Sequence, residues 1–204
     1  LAIQGPNNLP LMVNLFGDWV KELKYFFFKE AELDGIPLIV QRSGWSKQGG
    51  FELYLRDGTQ GERLWAMVME AGNKYDIKPG SPNNIERIES GLFSWGNDMD
   101  LNTNALELPL DKFCQLDKSA EYLSRDALHK IRSEGVARKV VGLIIEGEAF
   151  VGGCASPWKI SSNNKTCGKV TSAAYSPRLK KNIAIATIDK GFNAIGSKVD
   201  IDTP

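Results

Sequence analysis

The sequence predicts an α+β fold, with helices and strands mixed in its first part and strands alone towards its end. Residues 51–55 alternate apolar and polar side chains, as a strand with one buried face does. Residues 61–72 place apolar side chains at helical spacing. From residue 139 onward, β-branched runs are separated by Gly-rich or Asn-rich turns, which is typical of a small antiparallel sandwich or barrel.

The first part predicts four strands and the second four more. Those of the first part lie at 1–3, 25–33, 36–42 and 51–56, and Asp34-Gly35 is a hairpin turn between the second and third. Those of the second part lie at 140–145, 168–173, 182–188 and 198–201. This change in character places a domain boundary near Gly135.

Helices are predicted at 11–20 (as one or two short pieces), 61–72, 83–92 and 124–132. Asp18 and Ser124 are suitable N-caps because their short side chains can accept a hydrogen bond from a free backbone N–H. Gly135 would end the last helix. In the helix at 61–72, Trp65 belongs to the apolar set and is expected in the core.

The composition excludes several classes of function. The 204 residues are 42% hydrophobic, and 25 basic side chains balance 25 acidic ones, so nothing predicts binding to nucleic acid or to an anionic membrane. No apolar run reaches the length of a transmembrane helix. The three cysteines are widely spaced, which indicates reduced thiols in a cytoplasmic protein rather than a disulfide or a zinc site.

The loop at 43–50 is the most suggestive stretch for function. It contains three glycines, Trp45, Ser46 and a lysine between two predicted strands, and such loops hold functional groups on a rigid frame. In the strand that follows, Glu52 and Tyr54 share one face, which puts a carboxylate beside a phenol. That face is either the solvated side of a strand or part of a ligand site.

Two other motifs do not carry chemistry. Asp98–Asn102 begins like a calcium loop, but the sixth position is Thr103 and the twelfth is Pro109, so a polar turn is the better interpretation. His129, expected at the surface, is the single histidine. One histidine allows neither a Ser-His-Asp triad nor a multi-histidine metal site, and no metal is expected.

Several stretches together resemble one family. They are L-A-I-Q-G-P at 1–6, R-I-E-S-G-L at 87–92, W-G-N-D-M-D at 95–100, V-T-S at 170–172 and S-P-R-L-K-K-N-I-A at 176–184. In order and spacing they resemble the folate-dependent aminomethyltransferases, the family typified by the glycine-cleavage T-protein. The segment G-W-S-K-Q-G-G-F-E at 44–52 departs from the T-protein pattern and resembles the branch that demethylates dimethylsulfoniopropionate. Asn83, where aminomethyltransferases carry Arg, agrees with that branch.

The resemblance implies mixed α/β folate-binding domains followed by a small antiparallel β-barrel domain, arranged around a central folate channel. Residues 1–24 and 86–134 would belong to the first domain, 25–85 to the second and 135–204 to the third. It also implies that the family's N-terminal portion precedes Leu1 and that a short piece follows Pro204.

The implied activity is methyl transfer from dimethylsulfoniopropionate to tetrahydrofolate, giving methylmercaptopropionate and 5-methyltetrahydrofolate. Glu52 would recognise the pterin, with Trp45, Tyr54 and Ser46 lining the same pocket. No catalytic acid, base or nucleophile is expected, because the reaction would proceed by positioning. The alternatives are an aminomethyltransferase and a non-catalytic, folate-binding regulatory protein. The methyl donor is a small molecule, and the sequence leaves a homodimer open.

Overall fold

A computed structural model describes residues 1–46, 48–110 and 113–203. The chain separates into two compact units, Leu1–Asn83 and Asn84–Pro204.

The first unit is built on a four-stranded antiparallel sheet in the order β1-β4-β3-β2. Its strands are β1 (Ala2–Gln4), β2 (Phe28–Leu33), β3 (Ile36–Gln41) and β4 (Gly50–Leu55). Asp34 and Gly35 both have positive φ, 49° and 78°, so the predicted hairpin is a two-residue turn of the kind that matches strand twist. The four strands predicted here are confirmed, with β2 starting three residues later than expected.

Helices cover one face of this sheet. They are α1 (Asn8–Phe16) and α2 (Gly61–Gly72), with short 3-10 turns at Asp18–Lys21, Gly58–Gln60 and Asn73–Tyr75. Met12 of α1 and Val68 of α2 are buried and pack with Phe51 and Leu53 of β4 into one core cluster. The apolar side of α2 thus packs into the core, as the helical spacing of its apolar residues predicts.

Two expectations for these helices were wrong. Trp65 is 42% exposed rather than in the core, because it lies one residue beyond Leu64, about 100° around the helix from the buried line of Leu64 and Val68. Asp18 does not cap the second piece: it is the first residue of the 3-10 turn, and Gly17 holds the cap position.

The second unit contains a five-stranded antiparallel sheet in the order β5-β8-β7-β6-β9. Its strands are β5 (Arg138–Ile145), β6 (Trp158–Ser162), β7 (Lys165–Ser176), β8 (Lys181–Asp189) and β9 (Asp200–Ile201). The four strands predicted in this region are confirmed, and β6 was missed. β7 and β8 at the centre carry most of the buried side chains of this sheet.

Two helices accompany that sheet, α3 (Asn84–Glu89) and α4 (Arg125–Glu134). Ser124 holds the N-cap position of α4 as predicted, but it has φ of 65° and its side chain makes no capping hydrogen bond. Gly135 ends the helix with φ of 79°, a conformation that glycine tolerates best.

The predicted α+β class, with an antiparallel sheet at its C-terminal end, is confirmed. Among the described strands that sheet has two open edges, β5 and β9, so no closed barrel is formed there. The three-domain assignment (1–24 with 86–134, 25–85, and 135–204) stays a prediction. No helix of the described residues is long and apolar enough to cross a membrane.

Candidate functional site

The open face of the first sheet carries the predicted carboxylate and phenol. β4 lies between β1 and β3, and its Phe51 and Leu53 point into the core with at most 1% exposure. Glu52 and Tyr54 therefore occupy the opposite face, with Glu52 half-buried and Tyr54 48% exposed. The structure brings these two predicted residues into direct contact.

Tyr54 and Glu52 form a short hydrogen bond, in which the phenol O–H donates to Oε2 of the carboxylate. This bond raises the pKa of Tyr54 above its usual value, and desolvation and the negative charge of Glu52 act in the same direction. The phenol thus keeps its proton and holds one carboxylate oxygen in place. Held in this orientation, the Glu52 carboxylate can accept hydrogen bonds from two adjacent N–H groups of a ligand.

Neighbours on this face follow from the strand register. Glu52 lies opposite Ala2 on one side and Gln41 on the other, while Tyr54 lies opposite Ile39. Further across the sheet, Phe28 lies opposite Gln41 and is 64% exposed. The carboxylate is flanked by small, amide and aromatic side chains and not by a second charge at these paired positions.

Ser46 lies in the loop but is engaged by the protein. It is 7% exposed, its hydroxyl donates to Oε1 of Gln4 at 3.0 Å, and the same hydroxyl oxygen accepts from the Gln48 N–H at 3.3 Å. Such a residue shapes the loop. Trp45, beside it, is half-buried and has no hydrogen bond or ring contact among the described residues.

Gln4 is the loop's central contact and was not identified from the sequence. Its amide Nε2 donates to the Ser43 carbonyl at 3.4 Å while its Oε1 accepts from Ser46. A Cβ at Gly44 would lie 2.5 Å from Oε1, and one at Gly50 would lie 2.2 Å from Nε2. Two of the loop's glycines thus make room for this one amide. No local sequence pattern could have found it, because its partners lie 39 and 42 residues further along the chain.

A buried hydroxyl in the same loop has no partner. Ser43 is 7% exposed, and its Oγ has no hydrogen bond within the described residues. The Tyr25 hydroxyl donates to the adjacent Gly44 carbonyl at 2.8 Å, which ties the loop to the segment before β2. Buried polar atoms without a partner are uncommon, which makes Ser43 a candidate for ligand contact.

A second polar cluster, in the second unit, is centred on Asp98. Its side chain is fully buried and accepts hydrogen bonds from Arg87 (2.5 Å), the Ser94 N–H (2.9 Å), and the hydroxyls of Thr171 and Ser172 (2.7 Å each). Burial alone would raise the pKa of Asp98, but the four hydrogen bonds outweigh it and lower the pKa. The segment interpreted as a polar turn thus supplies a structural carboxylate.

The strand β7 is irregular where it meets this carboxylate. Val170 pairs with Ala186 and Ser172 with Ile185, so Thr171 is an extra residue between two paired positions. Neighbouring side chains of a regular strand point to opposite faces, but a bulge changes that direction. The bulge explains how two consecutive hydroxyls reach one carboxylate oxygen.

His129 is less exposed than expected. One of its ring nitrogens lies 3.0 Å from the Leu116 carbonyl, and the other lies 3.1 Å from Arg132. Among the described residues, no group of three or more His, Cys, Asp or Glu side chains could hold a metal ion.

Known proteins resemble this chain along almost its whole length. The family model described as the GCVT N-terminal domain matches residues 1–118, and that of the glycine cleavage T-protein C-terminal barrel domain matches residues 138–204. The chain belongs to the glycine-cleavage T-protein family. The resemblance inferred from the sequence motifs is thereby confirmed.

Relatives within the glycine-cleavage T-protein family are of two kinds. The dimethylsulfoniopropionate demethylase DmdA of Ruegeria pomeroyi is 39% identical over 100% of this chain and 55% of its own length. An aminomethyltransferase of Caldanaerobacter subterraneus is 32% identical over 98% of this chain and 53% of its own length. The chain thus spans about half the length of the curated relatives it matches.

A solved structure supports the fold. The glycine cleavage system aminomethyltransferase T from Bartonella henselae superposes with a TM-score of 0.76, at 21% identity, over 90% of this chain and 49% of that protein.

Proposed function

We propose that this chain serves a tetrahydrofolate-dependent methyltransferase that demethylates dimethylsulfoniopropionate. The observation that carries the proposal is the oriented pair of Glu52 and Tyr54 on the open face of the first sheet. Membership in the T-protein family supports the use of folate, and the 39% identity to a demethylase against 32% to an aminomethyltransferase supports the donor.

The proposed reaction moves one methyl group between two small molecules. N5 of tetrahydrofolate attacks the methyl carbon, the S–CH₃ bond breaks with its electron pair going to sulfur, and N5 releases its proton to solvent. The sulfonium leaves as a neutral thioether and needs no acid. Holding nucleophile and methyl group in line can itself contribute about 7–11 kcal/mol.

Glu52 would accept two hydrogen bonds from the pterin, one from a ring N–H and one from the amino group. Tyr54 would hold the carboxylate for that contact. Trp45 would line the pocket, where its ring could stack on the pterin or stabilise the sulfonium by about 0.5–2 kcal/mol. Ser46 would act through the shape of the loop, given its contact with Gln4.

The first prediction is that Glu52→Gln weakens tetrahydrofolate binding by at least about tenfold, or about 1.4 kcal/mol, because the charged acceptor is lost. Calorimetry on a protein of the relatives' full length that contains this chain would measure it. Glu30→Gln is the matched control, since Glu30 lies on the same face but pairs with Arg56 at the surface. An unchanged dissociation constant in Glu52→Gln would remove Glu52 from the site.

The donor is tested with the same protein incubated with tetrahydrofolate and dimethylsulfoniopropionate, following 5-methyltetrahydrofolate by mass spectrometry. Product that requires the protein supports the demethylase. Folate binding without product from this donor would instead favour an aminomethyltransferase or a non-catalytic folate binder.

Two further proposals accompany this one. We propose the three-domain division given above, which the family resemblance supports. We also propose a cytoplasmic location, supported by three cysteines that are all free thiols.

A further inference from the structure

A cavity in the second unit lies outside the candidate folate site. It measures about 540 Å³, within the range of about 300–1,000 Å³ usual for small-molecule sites. Its apolar wall consists of Leu106, Leu116, Ile131 and Val136, from the segment before α4, from α4 itself and from the residues that follow it. The cavity thus offers a hydrocarbon surface of small-molecule size.

The walls are held together by hydrogen bonds that do not enter the apolar surface. His129 of α4 contacts the Leu116 carbonyl at 3.0 Å, and Arg132 pairs with Asp117 through two contacts of 2.7 and 2.8 Å. On the other side, the Lys190 N–H donates to the Ala137 carbonyl at 2.8 Å. These contacts join the segments that form the cavity.

Two cations on the cavity lining are uncompensated. Lys139 is half-buried and Lys190 exposed, and neither side chain forms an ion pair in the part of the chain that the structure describes. The third cation, Arg132, is neutralised by Asp117. The described lining contains no carboxylate. Within the described residues, the cavity therefore combines an apolar wall with two lysines that form no ion pair.

One ammonium group lies close to a glycine of the lining. A Cβ at Gly135 would lie 3.3 Å from Nζ of Lys190, so the ammonium rests over this residue at the end of α4. Gly135 has φ of 79° and is itself part of the lining. The charge thus lies near the residue that precedes Val136 of the apolar wall.

We propose that this cavity binds a small organic carboxylate with a hydrocarbon tail. Its carboxylate would lie between Lys139 and Lys190, and its tail would cover the apolar wall. A cation would be repelled by the two lysines, and an uncharged chain would gain nothing from their charge. This site is independent of the proposed methyl transfer.

The test titrates a protein of the relatives' full length that contains this chain with hexanoate, acetate and 1-hexanol, and follows the backbone amide signals of Val136 and Lys190 by NMR. Hexanoate should shift both signals. In a series from acetate to hexanoate, affinity should rise by up to about fourfold for each CH₂ group that becomes buried. 1-Hexanol should bind more weakly than hexanoate because it lacks the charge.

Variants of the two lysines test whether their charges bind the carboxylate. Lys139→Met and Lys190→Met should each weaken hexanoate binding about two- to fivefold, and the double variant more. Lys165→Met, an exposed lysine outside the cavity, is the matched control and should change nothing.

Three results would overturn the proposal: no hexanoate binding, equal affinity for acetate and hexanoate, or full binding by the double variant. The chain-length series uses the unmodified chain, so it decides the question even if a variant fails to fold.

Discussion

At the scale of single residues, the contact between Tyr54 and Glu52 determines how the open face can meet a ligand. The phenol donates to one carboxylate oxygen, which keeps a second acceptor position, and retains its own proton, so the two side chains behave as one unit. Since both lie on a central strand whose other face is buried, their direction is set by the core and not by the loop.

The hydrogen bond between Tyr54 and Glu52 can be tested by titration. We predict that Tyr54 titrates above about pH 10, its ordinary pKa, and that Glu52→Gln lowers that midpoint. The carboxylate stabilises the protonated phenol, so removing its charge must lower the pKa. Ultraviolet titration measures the midpoint, with Tyr54→Phe subtracted to remove the other tyrosines. An identical midpoint with and without the carboxylate would show that the contact is absent in solution.

Sequence alone could place Glu52 and Tyr54 on one face, because period two in a strand is a local property. It could not identify Gln4 or Ser43. Their role depends on contacts between residues about forty positions apart in the sequence. No pattern around a single glutamine or serine indicates such a contact.

At the scale of elements, the loop at 43–50 is held by a side chain of β1. Gln4 contacts Ser43 and Ser46, and Gly44 and Gly50 leave the space that its amide fills. The glycines that made this loop suggestive thus serve packing within the protein in at least two of its positions.

We predict that Gln4→Leu destabilises the first unit by about 1–3 kcal/mol, because Ser46 and the Ser43 carbonyl lose their buried partners. Urea unfolding measures the loss, and hydrogen exchange at the Gln48 amide should become faster as the loop loosens. Gln41→Leu is the control, since Gln41 lies on the same face and makes no side-chain hydrogen bond among the described residues. Equal effects of the two variants would contradict the role given to Gln4.

The prediction of helices and strands from the sequence was right where the hydrophobic pattern was clear. It failed where the outcome depends on packing or on pairing with another strand. The helix Gly61–Gly72 has the predicted bounds, yet Trp65 is exposed, because spacing identifies an apolar stripe without fixing its width. β6 was missed since its five residues include two serines and a lysine, and its pairing with β7 decides its structure.

At the scale of the whole molecule, acid stability should depend chiefly on the buried carboxylate of Asp98. The pKa of Asp98 is lowered in the folded chain, so Asp98 contributes stability above its unfolded pKa of about 3.9. That contribution is lost as pH falls through the lower, folded pKa. Glu89, whose pKa is lowered by Ser176 and Arg178 against the effect of burial, acts in the same direction.

We predict that Asp98→Asn flattens the loss of stability below about pH 4, and that Asp98→Ala costs about 3–5 kcal/mol at neutral pH because Arg87 loses its buried partner. Denaturant unfolding of the second unit as a function of pH measures both. Asp126→Asn, at an exposed site on α4, is the control. An acid limb unchanged by Asp98→Asn would place the pH dependence elsewhere.

The position of Gln4 on the first strand also matters for how this protein can be handled. The amide that closes the loop belongs to the fourth residue, and the Leu1 carbonyl accepts a hydrogen bond from the Leu53 N–H at 2.8 Å, beside Glu52 and Tyr54. Substitutions or labels at residues 1–4 therefore act directly on the candidate ligand face. Labels and affinity handles are better attached within the exposed turn at Asn163 and Asn164, which belongs to the other unit.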